Sequence, residues 1–73
     1  MFYSKIDIPM IGKSYSVTAK EQNIYADRFG ISIYHVRSFL LLLAANINLN
    51  PVLKVKTANK VRSQIEEYIS KQS

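Results

Sequence analysis

Seventy-three residues suffice for one domain, 1–73, near the size at which a single apolar core becomes marginal. Hydrophobic residues are 48% and charged residues 21% of the chain, with no cysteine and one histidine; this excludes a disordered polymer, a disulfide scaffold and a thiolate metal site, and no cofactor is expected. Ten Lys and Arg against five Asp and Glu give a formal net charge of +5, which favours a polyanionic partner.

Residues 1–13 read as an extended arm or short edge strand. Phe2, Ile6 and Ile8 alternate weakly with Tyr3, Lys5 and Asp7, and Pro9 and Gly12 close the segment. Met1 to Lys5 lacks the charged and apolar regions of a signal peptide. Ile11-Gly12-Lys13-Ser14 ends like a phosphate loop but lacks the earlier glycine, so Gly12 reads as a turn. Ser14 to Val17 is rich in strand-preferring types.

A helix-turn-helix is expected over residues 18–46. Thr18 and Glu21 have capping-box spacing, each side chain set to bond the other's backbone amide. From there the first helix turns Gln22 (partly), Tyr25, Ala26 and Phe29 inward and ends at Gly30. Ala26 at a close approach, Gly30 in the turn and Val36 on the inner side of the next helix are the mark of the motif. Ser32 caps a second helix that runs from Ile33 to Ala45 or Asn46, with Ile33, Val36, Phe39, Leu40 and Leu43 on one face. Tyr34 and Ser38 lie opposite, with His35 and Arg37 on the flanks. Leu41 and Leu42 fall outside the core arc, either covered by a later element or free to meet another protein. The apolar run Phe39 to Ala45 is far shorter than the about twenty residues of a membrane span, so no membrane partner is expected.

Three Asn and Pro51 between residues 46 and 51 favour a break. On either side, Ile47 and Leu49, then Leu53 and Val55, alternate with polar residues, which predicts a β-hairpin over residues 47–56 that carries Lys54 and Lys56. Thr57 starts a last helix over residues 57–71, with Ala58, Val61, Ile65, Tyr68 and Ile69 as its stripe and the tail from Lys71 to Ser73 fraying. The fold class expected is mainly α with a small β-hairpin: a winged helix-turn-helix.

No catalytic constellation is visible, and an enzyme is not expected. Glu66 and Glu67 are adjacent and do not face each other on a helix. The basic residues instead suit DNA. Arg37 can read guanine O6 and N7; Lys54, Lys56 and Lys60 suit phosphates, Tyr34 and Ser38 can add phosphate or base-edge contacts and His35 a phosphate contact, and Ser32 completes the DNA-binding set.

Asp7-Ile8-Pro9, Tyr15-Ser16-Val17-Thr18 with Glu21, Tyr25, Gly30-Ile31 and Ile65-Glu66-Glu67-Tyr68-Ile69 together resemble the small winged-helix excisionases of conjugative transposons and phages. The resemblance runs over most of residues 7–69. It implies a DNA-bending accessory factor that directs site-specific recombination by a tyrosine integrase, with Arg37, Lys54 and Lys56 at matching positions. Self-association on the DNA and a nucleoid-associated, cytoplasmic location are further expectations. The alternatives are a small phage or plasmid transcription regulator and, in another class, an interaction module or inhibitor acting through Leu41 and Leu42.

Overall fold

The computed structural model describes residues 5–72. Phe2 and Tyr3 of the expected arm, and Ser73 of the expected frayed tail, lie outside the described residues. Two antiparallel strands, β1 (Lys5–Met10) and β2 (Lys13–Thr18), lead into helices α1 (Ala19–Phe29) and α2 (Ile33–Leu49), a 3-10 turn at Pro51–Leu53, and helix α3 (Ala58–Gln72).

The arm is thus one half of a hairpin. Ile6 faces Val17 and Ile8 faces Tyr15 across it; Ile6, Ile8 and Val17 are buried, while Lys5 and Asp7 point outward, the period-two alternation of a strand. Between Met10 and Lys13, which pair directly, Gly12 takes φ +76° and closes the turn. On the outer face Ser16 donates to Asp7 at 2.6 Å.

Thr18 caps α1 as expected, its hydroxyl accepting from the Glu21 amide at 3.3 Å. The other half of the capping box does not form. The Glu21 carboxylate accepts the Tyr15 hydroxyl at 2.8 Å instead, because β2 runs straight into the helix and brings Tyr15 over its first turn. Gly30 ends α1 at φ 64°, ψ 36°, its N–H donating to the Ala26 carbonyl. Three residues later α2 sets off with its axis turned by 110°.

Helix α2 is the packing centre: β1, α1, the 3-10 turn and α3 all lie against it, while β2 packs on β1 and α1. Its buried stripe is Val36, Leu40, Leu43 and Ile47, and these meet Tyr25 and Ala26 of α1, the strand residues, and Val61, Ile65 and Ile69 of α3 in one core. The start of α3 follows expectation, with the Thr57 hydroxyl accepting from the Lys60 amide at 3.2 Å.

The expected wing over residues 47–56 is not there. Helix α2 runs on to Leu49, past the expected end at Ala45 or Asn46, because Ile47 falls four residues after Leu43 and seven after Leu40. Burying Ile47 to 1% exposure outweighs the weak turn preference of the asparagines. Pro51 then opens the 3-10 turn, where its missing N–H costs nothing, and the Asn50 side chain accepts from the Val52 amide at 3.0 Å. Of the expected strand, Val55 is buried as its alternation required. Among the described residues, however, its backbone bonds only Ile11, whose N–H donates to the Val55 carbonyl at 3.0 Å at the tip of the N-terminal hairpin. The mainly helical class with one small hairpin therefore stands, with the hairpin before the helix pair and not after it.

Candidate nucleic-acid interface

The short turn fixes what α2 presents. Ser32 accepts from the Tyr34 amide at 3.0 Å, so its hydroxyl is occupied as a cap. Tyr34 is 73% exposed, and Ser38, one turn further on, is exposed too. Between them Arg37 is half-buried and held on two sides. Its Nε–H donates to Gln22 Oε1 at 3.0 Å, and its guanidinium carbon lies 5.8 Å from the centre of the Tyr34 ring, within cation–π range.

Gln22 is the residue that the sequence reading undervalued. It is fully buried, and both ends of its amide are used: Nε2 donates to the Val17 carbonyl at 3.0 Å, and Oε1 accepts from Arg37. A buried amide must be paired at both ends or it costs free energy. The signal was in the pattern: a polar side chain at the first inward position of a stripe continued by Tyr25, Ala26 and Phe29.

The structure brings Ser32, Tyr34, Arg37 and Ser38 together on the first turns of α2. His35 belongs to a different flank. Its ring stacks on Phe39 at 6.1 Å, and Phe39 meets Tyr68 of α3 edge-on at 6.3 Å. Lys54 and Lys56 are exposed but do not stand beside Arg37, since no wing carries them there. Lys54 lines a groove with Met10, Ile11, Ile47 and Asn48 at the far end of α2. The rise of an α-helix puts about 16 Å between residues 37 and 48. Lys60 lies in the first turn of α3, exposed. Leu41 and Leu42, at 46% and 54% exposure, stay uncovered on the second half of α2.

Charge is distributed unevenly. From Gly30 to Ile65 there is no Asp or Glu, while Arg37, Lys54, Lys56, Lys60 and Arg62 are all basic. Four carboxylates each have a partner among the described residues, with Glu21 and Glu66 lying beside Arg62. Glu66 pairs with Arg28 at 2.6 Å, Glu67 with Lys71 at 3.0 Å, Asp7 with Ser16 and Glu21 with Tyr15. Arg62 has partners as well: its Nε–H donates to the Tyr15 hydroxyl at 3.0 Å and its Nη1 to Asn59 Oδ1 at 3.1 Å, so it joins α3 to β2.

The groove by Lys54, 380 Å³ in volume, has that lysine as its one titratable lining residue among the described residues. Among the described residues no group of three His, Cys, Asp or Glu is placed to hold a metal ion, and no single helix is long and apolar enough to cross a membrane. No family model matches the chain, and neither a curated protein nor a solved structure matches it.

Proposed function

We propose that this chain binds double-stranded DNA without catalysis, as a helix-turn-helix protein that presents the first half of α2 to a groove. One observation carries the reading. Two helices meet at 110° across a three-residue turn that holds Gly30 in the left-handed region, and the second helix offers Tyr34, Arg37 and Ser38 with no carboxylate on it. The angle and the turn length are those of helix pairs that insert the second member into the major groove. Within this class we favour an excisionase-like accessory role beside a tyrosine integrase, with a small transcription regulator as its neighbour. The first rests on the residues from Asp7 to Ile69 that resemble that family, and it has to manage without a wing after α2. Protection of attachment-site DNA that grows when the integrase is added separates the two. A nucleoid-associated, cytoplasmic location follows from the DNA partner.

Titration of a duplex at several salt concentrations tests the reading. Log K falls against log salt, with a slope of about −0.9 for each phosphate neutralised. A flat response removes DNA from the account. It would leave the second reading, a protein-interaction module, whose own observation is the uncovered pair Leu41 and Leu42.

A further inference from the structure

Arginine carries five N–H donors in a rigid fork. In Arg37 the Nε–H is spent on Gln22, and one face of the guanidinium lies toward the Tyr34 ring. The N–H groups on Nη1 and Nη2 have no partner among the described residues. An arginine can grip guanine side-on, through Nε and one Nη, or end-on, through both Nη atoms. With Nε occupied, only the end-on grip remains. Gln22 in turn cannot swing away, because its other end is bonded to the Val17 carbonyl and it has no exposure. The line Val17 carbonyl, Gln22 amide, Arg37 guanidinium therefore runs from the hairpin through the core to the surface of α2, and it sets the plane of the fork before any ligand arrives.

On the DNA-binding reading above, we infer that Gln22 is a positioning residue for base recognition, and that the base recognised is a guanine gripped end-on at O6 and N7 by Nη1 and Nη2 of Arg37. A phosphate can also be held without this construction, by a flexible point charge. A base edge does need it, because two parallel hydrogen bonds form only when the donor plane is already aligned.

The test uses the full chain and a duplex that it selects from a random pool. Replacing the guanine opposite Arg37 by 7-deazaguanine removes the N7 acceptor and leaves O6, and should weaken binding several-fold, within the limit of roughly 5- to 150-fold set by a whole bidentate contact. Arg37→Ala should lose the same preference and become indifferent to the base analogue. Gln22→Met keeps the volume and removes both hydrogen bonds; it should lose most of the guanine preference while its binding to unrelated duplex stays within about twofold. Circular dichroism establishes that this variant is folded. A measurement on the wild-type chain alone does not depend on it: the Arg37 Nε–H should exchange with solvent more slowly than that of Arg28, whose ion pair uses Nη1.

Full guanine preference in a folded Gln22→Met overturns the role of Gln22 and leaves DNA binding intact. Fast exchange of the Arg37 Nε–H does the same. Equal weakening of all duplexes by Arg37→Ala, with no effect of 7-deazaguanine, makes Arg37 a phosphate contact and overturns the guanine grip. Absence of any duplex binding at low salt overturns the DNA reading itself, and the positioning role with it.

Discussion

Tyr25 and Gln22 lie three residues apart on the buried side of α1 and use burial in different ways. Gln22 is buried because its amide is fully paired, and truncating it would leave the Val17 carbonyl unsatisfied, at a cost of about 1–3 kcal/mol. Tyr25 is buried as an aromatic body. Removing its phenolate from water, aided by the nearby charges of Glu21, Tyr15 and Glu66 and opposed by Arg28, pushes its hydroxyl up from 10 to about 12. Above pH 10 the unfolded chain gives up a proton that the folded chain still holds. Stability is therefore intact below pH 10 and falls as the pH rises toward 12. Urea midpoints measured across this range should drop more steeply for the wild type than for Tyr25→Phe. Every other side chain is common to both chains, so equal slopes would remove Tyr25 as a source of the alkaline loss.

At the scale of elements, the contest between local and tertiary preference was settled differently in two places. At Gly30 the two agree. The turn needs a left-handed residue, which costs an L-amino acid with a side chain about 1–2 kcal/mol, and glycine is there. Around Asn46 to Pro51 they disagree, and the core wins. Asparagines and a proline signal a turn, yet Ile47 extends the stripe of α2 and draws the helix on to Leu49. Ile47→Ala should accordingly cost about 2–5 kcal/mol in chemical denaturation. In an exposed wing the same change would stay within about 0.5 kcal/mol, so a small loss would restore the hairpin at residues 47–56. The alternation that suggested this hairpin was real in one respect, since Val55 is buried. It lacked a second strand to pair with, and alternation alone does not supply one.

Across the whole molecule, the moved hairpin separates the basic residues. Arg37 stands at one end of α2, and Lys54 sits by the hairpin tip at the other. At that separation Lys54 and Lys56 act on an approaching duplex mainly through their field. The screening length is about 30 Å at 10 mM salt and about 8 Å at 150 mM, which makes the effect strong in the first condition and weak in the second. Replacing both lysines by Ala should slow association with DNA several-fold at 10 mM salt, leave dissociation and sequence preference unchanged, and become nearly invisible at 150 mM. Stopped-flow mixing measures this directly. A faster dissociation at both salt concentrations would show instead that the two lysines sit against phosphates in the bound state.

The sequence by itself determined the local devices: the Thr18 cap, the Gly30 turn, the Ser32 cap and the stripes of three helices. Each depends on residues within about one turn of each other, where propensity and periodicity act directly. From it also came the placement of Tyr34 and Ser38 on one exposed stretch, with Arg37 on its flank. Only the tertiary structure decided which strands pair, since pairing requires a partner that alternation does not name. It decided how far α2 runs, since that depends on the core available to Ile47. It also decided that Arg37 is aimed by Gln22, fifteen residues away in sequence, because a hydrogen bond between two helices exists only once the 110° turn has brought them together.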